Sequence, residues 1–522
     1  MWAKGPAAGF LVTSALVGVT FALSQVGVVS FFPLDIAQAG IRLTPGQIAT
    51  QGIEAFGHEA KMLAEATALA LVLLAGAAAG VVVVRFGLQR NWSNILPLAA
   101  AMIALVAIAQ MIGGTLPDVI SLGATAGLML GWAAALLAAV RLATVNAVPI
   151  TVAASTTRRR FLRLSGTSLL GVAVGGGAVG ELLRRAQEAA LAQEIARGEP
   201  VPGVALATSP TVSFPVPDPR FQPGAGMRTE ATPVPALYIV ASEVRSPSVD
   251  ATKWRFTVSG LVKTPLSLSY ADVRSLDQVD QPSTLTCISN EVGGDLTGTG
   301  IWSGVPLRTL LDLSDLADGA AMVVMRSVTG YADAIPIDRA LDSRNLVAYA
   351  FGGQALTREH GFPARMILPG LYGMKNVKWL SGIEVVDNVF AGYWEHRGWN
   401  PSIDVRTQST IDTANPSLGN TDRVRSDHSE VILGGYAFAG TRGVSSVELN
   451  IDNTGWQPAV MKEPGSQITW RPWRYAWHPA PGEHVVSVRA TDGAGVLQSA
   501  ESLPPHPSGA SGWHMLRLRV EG

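Results

Sequence analysis

Cysteine is almost absent: Cys287 is the only one among 522 residues. A single thiol excludes an intramolecular disulfide framework and a cysteine-rich zinc site. Charge is scarce as well. Asp, Glu, Lys and Arg make up 15% of the chain, and the formal net charge is −1. With no basic domain or tract, nothing is built to hold nucleic acid. The scarcity of charge is uneven: no charged residue lies between Lys4 and Asp35. Before residue 200 the sole histidine is His58. Haem in a membrane bundle normally needs facing histidines, so none is expected there.

What is present begins with long apolar runs. About 20 apolar residues cross a bilayer core. The stretch from Lys4 to Asp35, then Met62–Val84, Ile95–Gly114 and Val119–Val140, are long enough, and the shorter, Gly- and Ala-rich Leu164–Gly180 reads as a fifth span. Lys4, Arg85, Arg90, Arg141 and the cluster Arg158, Arg159, Arg160 and Arg163 then fall on one side, which the positive-inside rule makes cytoplasmic. The loop from Asp35 to Lys61 lies outside, as does everything after Leu183. Glu65 sits near an outer end, within reach of water. The expectation is a transmembrane helical region over 1–183, serving as anchor or docking platform in the lipid bilayer. Thr157-Arg158-Arg159-Arg160-Phe161-Leu162-Arg163 resembles a twin-arginine export signal, placed inside the chain. From charge alone it reads equally well as a topology-setting cluster.

From 184 to 234 the chain reads as a linker. Glu181–Arg197 has the composition of a short amphipathic helix. Pro200, Pro202, Pro210, Pro215, Pro217, Pro219, Pro223 and Pro233 then forbid helix and central strand. The linker either spaces the next domain from the membrane or wraps over its surface.

Residues 235–400 mix short strands and short helices without a βαβ rhythm, which indicates an α+β domain. Trp254–Gly260, Ala321–Ser327, Ala332–Ile337 and Arg365–Leu368 are predicted strands, and Pro306–Leu311 a helix with Pro in its first turn. Thr284-Leu285-Thr286-Cys287-Ile288 reads as a strand broken by Ser289-Asn290-Glu291 and Gly293-Gly294. The thiol therefore stands at a strand end, entering a loop, where ligand chemistry concentrates. Taken alone, such a cysteine is more often packed in a core.

Four blocks occur in order: Thr286–Asn290, Trp302–Leu307, Gly330–Pro336 and the long run His360–Leu380. Together they resemble the molybdopterin-binding domain of the sulfite oxidase family, which includes bacterial methionine-sulfoxide reductases. The resemblance covers about Pro233 to Val386. It implies a molybdenum-molybdopterin cofactor whose metal takes one protein thiolate, a role only Cys287 can fill. Soft thiolate suits such a metal. It places His360, Arg365, Lys375 and the Asn376-Val377-Lys378 triplet around the pterin and its phosphate, with Ser327 as a hydroxyl contact. It also puts Tyr238 along the pterin and Tyr331 at the active site, with Asp333 beside it. Arg binds phosphate in two-pronged geometry, and Lys375 and Lys378 add charge. Singly, His360, Arg365 and the lysines would read as surface groups, and Tyr331 as a strand-edge packer.

One departure concerns substrate. Sulfite oxidases carry an arginine just after the cysteine, where this chain reads Asn290-Glu291-Val292. An acidic and an apolar residue weaken dianion binding, so a neutral sulfur or nitrogen oxide gains weight over sulfite. Residues 425–522 alternate as an antiparallel β-sandwich, similar to the immunoglobulin-like dimerisation domain of the same family, which brings a homodimer into view. Arg442 lies near the position of an arginine that reaches the substrate pocket in such enzymes. A strand-turn surface arginine is the plain alternative.

The resulting expectation is a membrane-anchored oxidoreductase with its catalytic domain on the periplasmic or extracellular side. It would transfer oxygen atoms and exchange electrons with a separate carrier, a cytochrome or a quinone-linked subunit. The alternatives are an immunoglobulin-like adhesion or receptor protein with a degenerate cofactor domain, and a cysteine hydrolase using Cys287 and His360.

Overall fold

The computed structural model describes residues 4–56, 59–113, 119–144, 167–186, 211–401, 404–425 and 430–521. The twin-arginine-like motif at 157–163 and the linker from 187 to 210 lie outside the described residues. The chain divides into two compact units. One is Met1–Arg197 with Glu243–Arg245, and the other is Gly198–Ser242 with Ser246–Gly522.

The first unit is helical. Its described helices are α1 (Lys4–Gln25), α2 (Phe32–Leu43), α3 (Gly46–Phe56), α4 (Glu59–Arg85), α5 (Ile95–Gly113), α6 (Val119–Thr144) and α7 (167–186). Four of them, α1, α4, α5 and α6, are long and apolar enough to cross a membrane. The first apolar run forms one long helix that ends at Gln25. Gly27 at φ 75° turns the chain after Gln25, and Pro33 sits in the first turn of α2. The stretch read as a loop between Asp35 and Lys61 is mostly helical, in α2 and α3. Small residues let α1 and α4 touch: a Cβ at Gly9 would lie 2.0 Å from the Gly76 carbonyl oxygen, and one at Gly80 would lie 2.0 Å from that of Gly5. Spacing of this kind supports close helix packing where lipid supplies no hydrophobic drive. Trp132 Nε1 donates to Thr13 Oγ1 at 3.0 Å, so the indole is satisfied among apolar neighbours.

Among the described residues the second unit carries four sheets. Its first ten strands are β1 (Arg255–Gly260), β2 (Leu266–Ser269), β3 (Val279–Thr286), β4 (Thr297–Pro306), β5 (Met322–Ser327), β6 (Ala332–Pro336), β7 (Leu346–Phe351), β8 (Gln354–Ala355), β9 (Arg365–Ile367) and β10 (Leu380–Val386). One sheet has the order β2-β1-β10-β5-β6, with β1 and β10 parallel. The other runs β3-β4-β7-β8, with β9 on β7. Short helices α8 (Tyr270–Ser275), α9 (Leu307–Ser314) and α10 (Ile337–Ala340) join them. Ser269 and Asp272 form a capping box that starts α8. Trp254, Phe256, Tyr349, Met366, Leu380 and Ile383 are buried in the core these elements share. The predicted strands Trp254–Gly260, Ala321–Ser327, Ala332–Ile337 and Arg365–Leu368 end within one residue of β1, β5, β6 and β9, whereas the strand read over Thr284–Ile288 is observed as Val279–Thr286 and stops before the cysteine.

Nine further strands follow: β11 (Gln408–Ile411), β12 (Arg423–Arg425), β13 (Val431–Phe438), β14 (Val444–Ile451), β15 (Trp456–Pro458), β16 (Val460–Met461), β17 (Arg471–Trp477), β18 (Gly482–Asp492) and β19 (His514–Glu521). They form two sheets, β11-β13-β17-β16 and β12-β19-β18-β14-β15. Ile411, Leu433 and Trp473 from the first share one core with Val486, Val488 and Leu518 from the second. This layer takes its first strand from before residue 425. The proline-rich segment is stitched down from Thr211 onward. Thr211 N donates to Asp280 at 2.7 Å, Thr232 N to the Thr299 carbonyl at 2.7 Å, and Arg228 pairs with Asp412 at 2.6 Å. Of the two expected behaviours, wrapping is the one observed for residues 211–234.

Candidate active site

β3 ends at Thr286, and Cys287 is the next residue. Its N–H still bonds across to the Leu296 carbonyl at 2.9 Å, and its own carbonyl accepts from Asn290 N at 3.1 Å, so the thiol stands where the strand turns. Cys287 is buried. Burial pushes the thiol up, opposed by hydrogen bonds from the Ser289 backbone and side chain and by the charge of Lys378. Gly373 faces it: a Cβ there would lie 2.8 Å from Tyr238 Oη and 3.7 Å from Cys287 Cα. The absence of a side chain at Gly373 is what allows the three segments to meet.

Around this point stand Arg365, His360 and Lys378. Arg365 is 5% exposed. Its Nη1 and Nη2 donate to the carbonyls of His360 at 3.2 Å and Asn376 at 3.3 Å, and Nε is buried with no partner. Burial drives its pKa down to about 10, and among the described residues it forms no ion pair. His360 is buried, its pKa pushed down to about 4 by burial and by the charges of Arg365 and Lys378. Lys378 Nζ donates to the Glu359 carbonyl at 2.9 Å and lies 4.5 Å over the Trp379 ring. The Tyr238 hydroxyl is buried without a partner, and burial together with the nearby Cys287 raises its pKa. Buried atoms such as Arg365 Nε and Tyr238 Oη are costly unless something satisfies them.

The other sequence-predicted residues are placed differently. Lys375 is buried with its ammonium on Asp333 at 2.7 Å, on the Ala334 carbonyl at 3.0 Å and on Glu395. It is neutralised inside the protein. The Asn376 side chain accepts from Leu368 N at 2.7 Å and donates to the Tyr372 carbonyl at 3.0 Å, so it shapes its own loop and offers only backbone to the site. Val377 is a core residue whose carbonyl accepts from Met366 N at 2.8 Å. Ser327 is buried, its Oγ 3.0 Å from Thr329 Oγ1. Tyr331 Oη donates to the Met374 carbonyl at 2.8 Å, with Asp333 at 3.4 Å. Burial lifts Asp333 to about 6 against the pull of Lys375. Arg442 is held by Asp492 at 2.8 Å, and its Nη2 donates to the Val405 carbonyl at 3.0 Å. Glu291 is exposed, and Asn290 Oδ1 is taken by Leu296 N at 2.8 Å.

Sequence reasoning did not single out His506, Tyr372 and Arg406. Ser289 Oγ lies 2.9 Å from His506 Nε2. Tyr372 is buried, and burial and the Cys287 charge raise its pKa, while the adjacent Arg406, whose N–H donates to Tyr372 Oη at 3.3 Å, lowers it. Arg406 falls between the two segments that carried pattern, and His506 is 217 residues from Ser289. Neither position has a local signal.

Among the described residues no group of three or more His, Cys, Asp or Glu is placed to hold a metal. A metal here would have the Cys287 sulfur as its protein ligand and need a second chelator. A buried cation without an anion and an orphaned tyrosine hydroxyl beside that sulfur fit an anionic, hydrogen-bonding cofactor.

Comparison with known proteins agrees with this class of site. Residues 243–394 match the family described as oxidoreductase molybdopterin binding domain. The uncharacterized oxidoreductase YuiH of Bacillus subtilis is 33% identical over 151 residues, 29% of this chain and 74% of that protein. Mitochondrial sulfite oxidase of Rattus norvegicus is 30% identical over 303 residues, 49% of this chain and 55% of that one. YedZ1 of Azospira oryzae, named as a subunit of a protein-methionine-sulfoxide reductase, is 32% identical over 163 residues, 31% of this chain and 60% of that one. The chain thus spans about half the length of the rat sulfite oxidase it matches. The sulfane dehydrogenase SoxCD structure from Paracoccus pantotrophus shares the fold at TM-score 0.50 and 17% identity, covering 60% of this chain and 90% of that one. The chain belongs to the sulfite oxidase family of molybdopterin-dependent oxidoreductases.

Proposed function

We propose that this chain is a membrane-anchored, extracytoplasmic molybdenum-cofactor enzyme that transfers an oxygen atom to or from a small sulfur or nitrogen oxide. One observation carries the reading: Arg365, buried with no ion pair among the described residues, stands with the Tyr238 hydroxyl, unpartnered among them, beside the chain's only thiol. When bound, the molybdenum-pterin group supplies the two-electron redox chemistry. Cys287 would be its protein ligand. Arg365, His360 and Lys378 would hold the pterin and phosphate, with the Asn376 and Val377 backbone and Ser327 shaping that wall and Tyr238 filling its side. His360, kept neutral by burial, is suited to hydrogen-bond the pterin without adding charge. Tyr331 would contribute at the active site by way of its phenol, fixed on the Met374 carbonyl. Lys375 and Arg442 are committed to carboxylates and would act by holding loops.

The chain's own residues bear on substrate. Glu291 faces solvent, and Asn290 spends its oxygen on backbone, so the position after the cysteine presents no cation. The charge of Arg406 is felt at Tyr372, while its Nε donates to the Ser508 carbonyl at 3.2 Å. One cation suits a neutral, polarised S=O or N–O group better than a dianion. Electrons would pass to a separate carrier. The test is metal analysis of protein made in a cofactor-competent cell, followed by sulfite oxidation and sulfoxide reduction assays side by side. Bound molybdenum with faster sulfoxide turnover is expected. Cys287→Ser should abolish turnover while the fold persists by circular dichroism. Protein without molybdenum, or Cys287→Ser with full turnover, would sink the reading.

A further inference from the structure

We propose that Arg228 is a positioning residue: it grips the loop that closes on Cys287 and so fixes the backbone from which the sulfur is offered to the metal. The inference rests on the molybdenum reading above. The loop is a ring of hydrogen bonds that begins and ends on the cysteine. Asn290 N donates to the Cys287 carbonyl at 3.1 Å, Leu296 N to Asn290 Oδ1 at 2.8 Å, and Cys287 N to the Leu296 carbonyl at 2.9 Å. Within the ring, Gly294 N turns back onto the Glu291 carbonyl at 3.0 Å. A displacement at the tip is therefore carried to the cysteine backbone, because each link ends on the next.

The tip is held from two segments distant in sequence. Arg228 Nη1 donates to the Gly294 carbonyl at 3.2 Å, and Asn415 Nδ2 to the Gly293 carbonyl at 3.1 Å. Neither side chain is free to swing. Asp412 takes Arg228 Nη2 at 2.6 Å and Nε at 3.1 Å, a two-pronged pairing that sets the plane of the guanidinium. The Tyr436 ring lies against that plane, its centroid 4.3 Å from Cζ. The fork thus divides between two tasks, one edge on Asp412 and the remaining nitrogen on the loop. Asn415 is fully buried, and Ser417 N donates to its Oδ1 at 3.0 Å, which turns the amide so that its nitrogen faces Gly293. Gly293 in turn lies against His514, where a Cβ would fall 2.2 Å from Nε2. The proline-rich segment and the second pair of sheets are in this way part of the site that presents the thiol.

The single cysteine makes the test direct, since alkylation of the full-length chain reports on Cys287 alone. The chain is made in cells that cannot supply the cofactor, and its labelling by iodoacetamide under native conditions is followed by intact mass. A buried thiol in a held loop labels only when the loop opens. Arg228→Lys leaves a cation for Asp412, but one ammonium cannot stand at both ends of the fork, so Gly294 is released. It should raise the labelling rate roughly five- to tenfold, as should Asn415→Ala, the worth of one hydrogen bond. Arg489→Met controls for stability alone. It breaks a pair with Glu448 at 2.9 Å over the Trp456 ring, on the face of β18 opposite the core residues Val488 and Ala490. It should lower the urea midpoint and leave labelling at the wild-type rate. In protein loaded with molybdenum, Arg228→Lys should change the g values of the paramagnetic molybdenum signal, and Arg489→Met should not. Wild-type labelling in Arg228→Lys overturns the proposal, as do unchanged g values in its loaded form or equally fast labelling in Arg489→Met. A wild-type enzyme without molybdenum overturns the functional reading instead. The labelling needs no metal, so the two failures are told apart.

Discussion

Arg365 and Lys375 are ten residues apart in one basic block, both buried, and read alike in sequence. Their surroundings make them opposites. Lys375 has two carboxylates, Asp333 and Glu395, and Arg365 has none among the described residues. Arg365→Met should therefore stabilise the cofactor-free chain by about 1–3 kcal/mol, because it removes a desolvated charge with no counterion. The same variant should lose bound molybdenum. Lys375→Met should destabilise by about 3–5 kcal/mol, because it leaves two buried carboxylates facing each other. Denaturant titrations of the cofactor-free chain read both signs. A destabilised Arg365→Met chain would show that the guanidinium is structural and not held for a missing anion. The site was legible as far as its cations and its thiol. Which cation is free was not, since Asp333 and Glu395 reach Lys375 from 42 and 20 residues away.

At the scale of elements, the first residue of β19 ties a second sheet to a loop of the cofactor domain. His514 Nδ1 accepts the Ile411 N–H of β11 at 3.0 Å, and a Cβ at Gly293, which sits at φ 83°, would fall 2.2 Å from His514 Nε2. Burial holds the His514 pKa down to about 4, from 6.5. The sign follows. Between those values the unfolded chain binds the proton and the folded chain does not, so this residue's contribution is full above pH 6.5 and lost as pH falls toward 4. His360, also near 4, adds a loss in the same window. Asp333, raised to about 6, works oppositely, losing stability as pH rises from about 4 to 6. A difference between variants isolates His514. His514→Asn keeps an acceptor for Ile411 and removes the titration. Its stability should fall less than wild type between pH 6.5 and 4, by up to about 3 kcal/mol. Parallel urea midpoints in the two proteins would refute the assignment. Strands β1, β5, β6 and β9 were legible from alternation. A histidine serving as a backbone acceptor was not, because its partner strand is 103 residues distant.

For the whole molecule, the side on which the catalytic unit lies turns on one helix. Lys4 begins α1, Arg85 ends α4, Arg90 precedes α5 and Arg141 lies in the last turn of α6. Four crossings through α1, α4, α5 and α6 return the chain to the side that carries those cations, which the positive-inside rule makes cytoplasmic. An extracytoplasmic enzyme therefore needs α7 to cross as well. Its 20 residues span about 30 Å, the thickness of a bilayer core and no more. Gly176 and Gly180 pack closely on α1, where a Cβ at Gly176 would lie 2.5 Å from the Gly18 carbonyl carbon, while Val174 is 64% exposed. α7 is not among the four helices long and apolar enough to cross a membrane, so its crossing is the point to test. A periplasm-active reporter fused after Leu183 should then be active, and Val174→Arg should abolish that activity, at an insertion cost of about 2.5–3.5 kcal/mol for a charge near the helix centre. A mild variant, Val174→Leu, should leave it intact. Reporter activity confined to the cytoplasm in the unaltered chain would place the catalytic unit inside, and the enzyme would then draw its substrate and its electron carrier from the cytoplasm.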